Sequence, residues 1–333
     1  MNTLNTTQTG RPAAAQTASW LQYFPIALFA SVLGLAGLAI AWMKAQQLLG
    51  APAVVSDAIR WFATLIWFSL LGFYLAKWMR FPAAVEEERN HPVKLNFFAA
   101  ISIGLLLLAI VWSPSAPATA YWMWAAGAGA HLLFTLMTIS IWLFRPPFQI
   151  QHLTAAWFIP TVGNIIVPIA GVHFAPVDIS WFFFSVGIVF WLILFTVLVY
   201  RLFFHEQLPG KLQPTLFILI APPAVGFLAY IALGGNGLDA FGRILYFTAL
   251  FLTLLLAIQA RRFLRIPFFL SAWGYSFPLA AITIATLEMG AQSGLAFYRV
   301  LGAGLLAVAS IVIAILLVKT VQALAQGKVF IPD

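Results

Sequence analysis

The stretch AWGYSFPLAAITIATL, residues 272–287, carries no charge and holds Phe277 and Pro278 near its middle. It is apolar enough to lie in a bilayer, but a proline inside a helix removes one backbone donor and clashes with the carbonyl four residues earlier. In lipid, such a break is tolerated where neighbouring helices, side chains or water satisfy the freed carbonyl. The stretch is therefore either an ordinary membrane helix with a tolerated proline or a kinked helix facing a pathway inside a bundle.

The composition excludes a soluble protein. Of 333 residues, 63% are hydrophobic and 8% are charged, and the mean hydropathy is +0.98. A soluble domain of this length has too much surface to hide so many apolar residues. The chain is therefore predicted to be an all-α polytopic membrane protein with room for about ten helices. It contains no cysteine, which excludes a disulfide framework and a thiolate metal site.

Apolar runs follow one another along the chain, separated by short connections rich in glycine and proline. Ten transmembrane helices are predicted, at 20–43, 54–79, 95–112, 118–144, 153–171, 178–204, 214–233, 240–262, 268–288 and 295–322. Residues 1–19 are expected to form a disordered cytoplasmic tail, residues 20–324 the transmembrane channel domain, and residues 325–333 a short cytoplasmic tail.

Basic residues are divided unequally between the two sides of the predicted bundle. The side of the N-terminus receives 13 of the 17 lysines and arginines, and the opposite side receives Lys44, Arg60, Arg243 and Arg299. Because cytoplasmic loops carry an excess of Lys and Arg, both termini are predicted to be cytoplasmic, in a bacterial inner membrane.

Internal prolines distinguish two kinds of helix. All of them fall in predicted helices with odd numbers, at Pro25, Pro160, Pro168, Pro222, Pro223 and Pro278. Even-numbered helices are long, uninterrupted and bulky. This pattern predicts five helical hairpins, each with a broken inner helix and a lipid-facing outer helix. The third helix has no internal proline, so its kink is expected to come from Gly104 or from packing.

Few ionisable groups lie in the predicted inner helices. Glu288 is expected at the membrane interface, and His131 is expected to be a neutral histidine bonded to a nearby Ser, Thr or carbonyl, although a proton relay is conceivable. The sequence has no nucleotide-binding loop, no HExxH and no GxSxG, so no enzyme activity, cofactor, metal site or nucleic-acid partner is predicted.

What remains is a neutral lumen with aromatic and proline residues and a basic cytoplasmic mouth. Basic loops concentrate anions over about 8–10 Å at physiological salt. Broken helices also leave amide groups that stabilise an anion without a fixed charge. The pattern favours passage of anions.

Four segments together resemble a known family. They are FPIALFASVLGLAGLA at 24–39, AWFIPTVGNIIVP at 156–168, LIAPPAVGFLAY at 219–230 and WGYSFPLAAITIAT at 273–286. In this order they are similar to the tellurite-resistance/C4-dicarboxylate transporter family, which includes bacterial TehA-like proteins and the plant guard-cell slow anion channels. The resemblance implies ten helices in pseudo-five-fold arrangement around a central pore, and assembly as a homotrimer. It also implies a phenylalanine in the ninth helix that plugs the pore, and Phe277 is the matching position.

The predicted function is an anion channel for small monovalent anions such as chloride and nitrate, gated by Phe277. Pore width near the kinks is expected to be set by Phe24, Pro25, Pro160, Pro223 and Pro278. The alternative is a secondary transporter or exporter of C4-dicarboxylates or of toxic oxyanions such as tellurite. That alternative needs a polar substrate site in mid-membrane, and the candidates for it are Asn164, Thr161, Ser276 and Thr283.

Overall fold

A computed structural model describes residues 20–145 and 148–331. Within these ranges the regular elements are all helical, and nine helices are long and apolar enough to cross a membrane. A further apolar helix is shorter. We number them α1 Ile26–Leu49, α2 Ala53–Arg80, α3 Lys94–Trp112, α4 Pro117–Phe144, α5 Ala155–Gly171 (the shorter one), α6 Val177–Phe204, α7 Gly210–Ala232, α8 Ala240–Ala257, α9 Leu270–Ser293 and α10 Ala296–Ala325. The all-α polytopic class is confirmed, and the count of ten crossings stays a prediction. The predicted tail at 1–19 lies outside the described residues.

The first helix begins and ends later than predicted. Pro25 has an extended backbone and precedes α1 instead of lying inside it. Its ring also disfavours helical geometry in the residue before it, Phe24, so the helix does not extend back toward residue 20. The helix then continues past Lys44 and stops at Gly50, whose φ of 69° is left-handed. Glycine adopts this conformation without steric cost and is common directly after a helix.

Each odd-numbered helix begins with tightly wound 3-10 turns and then becomes α-helical, and α5 contains a second 3-10 segment at Gly163–Ile166. The 3-10 segments that open these helices are Ile26–Leu28, Lys94–Phe98, Ala155–Trp157, Gly210–Ile220 and Leu270–Tyr275. Prolines explain three of them. Pro160, Pro222 and Pro278 lack the N–H that an α-helix would direct to the carbonyl four residues earlier, and in each case that carbonyl lies in the 3-10 segment.

Helix α3 has no internal proline, but it opens with a 3-10 segment like the other inner helices. In helices with and without a proline, a hydroxyl group in the 3-10 segment or in the first α turn after it bonds the carbonyl three residues earlier. The bonds are Ser31 to Leu28 O at 2.7 Å, Ser102 to Ala99 O at 2.9 Å, Thr215 to Leu212 O at 2.6 Å and Ser276 to Trp273 O at 2.6 Å.

The helices form two shells, as predicted. In the most apolar stretches of α1, α3, α7 and α9, 61–78% of the residues are buried, against 22–39% in the even-numbered helices. Each odd-numbered helix packs on the next one in chain order, and α9 packs on α1, so the five close into a ring. We call α1, α3, α5, α7 and α9 the inner ring. Each even-numbered helix packs on its preceding partner. The pseudo-five-fold symmetry of the ring stays a prediction.

Within the inner ring, α1 and α9 approach each other closely. A methyl group built at Gly34 would overlap the Ser276 side chain, and one built at Gly37 would lie 3.0 Å from Cδ2 of Phe277 and 3.0 Å from Cβ of Ala280. Small residues allow two helix backbones to pack at short distance in a membrane. Glycine at 34 and 37 therefore fixes the position of α9 beside α1.

We expect Gly34→Ala to lower the stability of the protein by about 1–3 kcal/mol, because an added methyl in a full site forces backbone shifts. The matched control is Gly304→Ala in α10, where no heavy atom lies within 4 Å of the added methyl. The melting temperature in detergent measures both. Equal melting temperatures for the two variants would contradict the packing assigned to α1 and α9.

Candidate functional site

Two cavities lie inside the inner ring, and both are lined by all five of its helices. The amino-end cavity, between the first halves of these helices, has a volume of about 70 Å³. Every inner-ring helix contributes to its lining, for example through Ala30, Ile103, Ile159, Pro222 and Phe277. The lining is almost wholly apolar, with Thr215 and Ser271 as polar members. This matches the predicted neutral lumen.

The carboxyl-end cavity lies between the second halves of the inner-ring helices and has a volume of about 210 Å³. Its wall includes Ile40, Leu107, Ile169, Leu228 and Ile284. The two cavities together follow the axis of the ring, as expected for a pathway across the bundle.

The two cavities share Ile166, Val225 and Phe277 in their walls. These residues come from α5, α7 and α9, so they mark the level at which one cavity ends and the other begins. The Phe277 ring is half-buried and lies against Gly37 of α1. A bulky ring in a narrow apolar passage blocks by filling it and by excluding water.

The prolines position the wall without forming most of it. Ile159, Pro222 and Phe277 line the amino-end cavity, and each directly precedes a proline, Pro160, Pro223 or Pro278. Consecutive helix residues point about 100° apart, so a side chain and the proline after it face different neighbours. Pro278 also lines the cavity. In the described part of the chain, Pro160 and Pro223 line neither axial cavity. The residues before them, Ile159 and Pro222, line the amino-end cavity instead.

Phe24 and Pro25, also predicted at the pore, lie off the axis. Phe24 is 2% exposed and stacks on Phe330 with ring centroids 5.7 Å apart. Pro25 lines a separate cavity beside the connecting helix Pro82–Asn90. Because α1 starts only at Ile26, these two residues lie outside the ring, and its α1 wall is formed by Ala30 and Leu33.

The carboxyl-end cavity contains an ion pair that the sequence did not reveal. Lys44 of α1 and Glu288 of α9 form a salt bridge, with side chains 24% and 13% exposed. Sequence reasoning placed both at the same membrane interface but gave no sign that they meet. The pair neutralises two charges that would otherwise face an ion in this cavity.

Behind the wall of the amino-end cavity lies a buried polar cluster. His131 of α4 forms a hydrogen bond between its Nδ1 and the Ser102 hydroxyl at 2.9 Å, which confirms the predicted bonded histidine. Thr135 donates to the Pro160 carbonyl at 2.6 Å, and Asn164 donates to the Thr135 hydroxyl at 2.9 Å. A hydroxyl of the outer helix α4 thus bonds a backbone carbonyl inside the broken helix α5, where lipid offers no partner.

The fold is that of a polytopic helical membrane protein, and its inner ring encloses two cavities that share Ile166, Val225 and Phe277 in their walls. Comparison with known families makes the assignment specific. Residues 23–321 match the family model SLAC1, described as voltage-dependent anion channel, and the chain belongs to this family.

Individual relatives differ in how much of their length is matched. The S-type anion channel SLAH3 of Arabidopsis thaliana is 28% identical over 309 residues, which cover 91% of this chain and 48% of the relative. The tellurite resistance protein TehA homolog of Haemophilus influenzae is 26% identical, with 92% and 93% covered. An uncharacterized transporter of Methanocaldococcus jannaschii is 25% identical, with 94% and 98% covered. The chain thus spans about half the length of the plant relative SLAH3.

Proposed function

We propose that the chain is an anion channel, not an enzyme, which passes small monovalent anions such as chloride and nitrate and is closed at rest by Phe277. The observation that carries the proposal is the meeting of two axial cavities at Phe277, Ile166 and Val225. The lumen is mostly apolar, and its two charged lining residues, Lys44 and Glu288, pair with each other. A lumen without net charge binds an ion weakly, which favours throughput. Family membership and the name of the plant relative support the same function.

The proposal includes the setting of the channel. The excess of basic residues on one side supports cytoplasmic termini in a bacterial inner membrane, with residues 20–324 as the transmembrane domain. The inner ring, with Phe277 and Pro278 at its axial wall, is the pore of one protomer. Three protomers are proposed to form a trimer with one pore each. This part of the proposal rests on the resemblance of the sequence motifs to those of the family.

The experiment is current recording from purified protein in planar bilayers, with wild type and Phe277→Ala, in chloride, nitrate or gluconate. A channel of this width is expected to pass chloride and nitrate, to exclude gluconate, and to carry current that rises with anion concentration without early saturation. A current carried equally by gluconate would overturn the proposed selectivity.

The alternative is a transporter or exporter of C4-dicarboxylates or tellurite. The names of the Haemophilus relative, a tellurite resistance protein homolog, and of the Methanocaldococcus relative, a transporter, favour it. The polar side chains available for a substrate site donate to backbone carbonyls inside the bundle. Asn164 donates to Thr161 O at 2.7 Å, and Thr283 donates to Leu279 O at 2.7 Å. Saturable malate or tellurite uptake that follows a proton gradient in liposomes would replace the channel with this alternative.

The ion pair in the carboxyl-end cavity gives a prediction about conductance. Glu288→Gln leaves the Lys44 ammonium uncompensated in the wall. A change of about 1 kcal/mol in local potential raises the local anion concentration about fivefold, so we expect a severalfold larger chloride current in the Phe277→Ala background. Asp57→Asn is the matched control, because it frees Arg60 from an ion pair of 2.9 Å away from both cavities. Equal currents in the two variants would contradict the role of Glu288.

A further inference from the structure

The carboxyl-end cavity has one charged place in otherwise apolar walls. Lys44 and Glu288 are the charged residues of its described lining, and the other residues of that lining are apolar, among them Leu107, Ile169 and Ile284. The two charged side chains form a salt bridge with each other, so the charge is gathered at one point of the wall. A molecule that fits this cavity therefore combines one polar group with an apolar remainder.

The partners of the ion pair indicate the charge of that polar group. Each carboxylate oxygen of Glu288 has a partner, because Oε2 pairs with the Lys44 ammonium and Oε1 accepts from the Gln292 amide at 3.0 Å. A lysine ammonium carries three donors, and within the described chain Glu288 is the one partner found for Lys44. The Lys44 side chain is also the more exposed of the two, at 24% against 13%. The pair thus presents N–H donors to the cavity, and these suit an anionic acceptor.

The size and the walls of the cavity narrow the class of anion. Sites for drug-sized molecules measure about 300–1,000 Å³, and this cavity measures about 210 Å³, so its occupant is smaller. A halide would bind the ammonium but bury no apolar surface of its own. A carboxylate with a short alkyl chain does both, since its oxygens accept charge-assisted hydrogen bonds and each methylene removed from water favours binding. A second carboxylate would find no further cation in the described lining.

We propose that the carboxyl-end cavity binds short-chain monocarboxylates such as butyrate. The carboxylate binds the Lys44 ammonium, and the alkyl chain packs on the apolar wall that includes Leu107, Ile169 and Ile284. Glu288 holds the ammonium in the wall and repels the bound anion, so it keeps the site weak. This inference deepens the proposed anion pathway, and rests on it for placing the site on the route of the ions.

The test measures binding of butyrate to the full-length protein in nanodiscs by saturation-transfer difference NMR, which requires no current. Butyramide has the same chain without the charge, and it measures the contribution of the carboxylate. Acetate and propionate shorten the chain. Each methylene that the apolar wall covers is expected to strengthen binding about fourfold, so affinity should rise from acetate to butyrate.

The two residues of the ion pair are expected to have opposite effects. Lys44→Gln removes the ammonium and should weaken butyrate binding about tenfold or more. Glu288→Gln keeps the ammonium and removes the opposing charge, so binding should strengthen about fivefold. A pair that served packing alone would not give opposite signs. The matched control is Arg60→Gln with Asp57→Asn, which removes an ion pair of 2.9 Å outside the described lining of this cavity and should bind butyrate like wild type.

The outcomes separate the carboxylate site from the channel. If Lys44→Gln folds poorly, the direction of the change in Glu288→Gln decides by itself. Absence of butyrate binding in wild type, equal binding of butyrate and butyramide, or weaker binding in Glu288→Gln overturns the proposal. Butyrate binding without an anion current would support the site and contradict the channel, whereas a current without butyrate binding would do the reverse.

Discussion

Replacing Phe277 by alanine is expected to produce a standing anion current at least about tenfold larger than that of wild type, since each 1.4 kcal/mol removed from a barrier gives a factor of ten. The ring lies where the amino-end and carboxyl-end cavities meet, with Ile166 and Val225 in the shared wall. Alanine removes the ring and joins the two cavities. A wider passage between apolar walls also holds water more readily, and this lowers the barrier to a hydrated ion.

The control for this variant is Tyr275→Ala, two residues earlier on the same helix. Tyr275 packs on Phe217 with ring centroids 4.7 Å apart and on Phe263 at 6.0 Å; within the described chain it lines neither axial cavity. We expect its current to resemble that of wild type. Bilayer recording of both variants, after checking that each is folded and inserted, decides the matter. A Phe277→Ala current equal to that of wild type would assign the ring a packing role only.

The second large effect is expected at a buried ion pair. Glu88→Gln is predicted to lower stability by about 3 kcal/mol or more, because a buried charge that loses its partner is strongly destabilising. Glu88 accepts from Lys77 at 2.9 Å, from the Tyr74 hydroxyl at 2.8 Å and from the Ile26 N–H at 3.3 Å. Lys77 also donates to Phe24 O at 2.8 Å. The substitution therefore disturbs the start of α1 as well as the pair.

The connecting helix Pro82–Asn90, which contains Glu88, also offers a matched control. Glu86→Gln removes an exposed carboxylate paired with Arg89 at 2.7 Å, whose hydrogen bond lowers the pKa of Glu86. Exposed pairs contribute little to stability, so we expect the melting temperature of Glu86→Gln to match wild type. A double-mutant cycle with Lys77→Met completes the test, since coupled residues lose less together than the sum of the single losses. Additive losses would show that Lys77 and Glu88 act independently.

The helical shells followed from the sequence because they depend on composition and on periodic breaks. The division into inner and outer helices came from prolines such as Pro160 and Pro278, whose missing N–H groups act locally. Phe277 could be singled out only through the resemblance of its motif to a family. Its place between two cavities depends on Ile166 and Val225, which come from other helices. The sequence around Phe277 does not reveal that these three residues lie together.

Long-range pairing accounts for what the sequence did not show. Lys77 counts as a loop cation in any tally of basic residues, yet its side chain is 2% exposed and paired with Glu88. Glu288 was expected at an interface, and the partner that it has, Lys44, lies at the other end of the ring's sequence. In α3, the 3-10 turn Lys94–Phe98 forms without an internal proline, so proline position alone underestimates how many inner helices are broken.

The 3-10 turns of the inner ring also change how far a given number of residues reaches. Helix α5 is Ala155–Gly171, with 3-10 segments of 3 and 4 residues and α segments of 5 and 5. A 3-10 turn rises about 2.0 Å per residue and an α turn about 1.5 Å, so this helix extends about 29 Å, against about 26 Å if it were all α. The hydrocarbon core of a bilayer is about 30 Å thick. Tighter winding thus stretches a short segment to the thickness of the apolar layer, which is the length that the predicted tenth crossing needs.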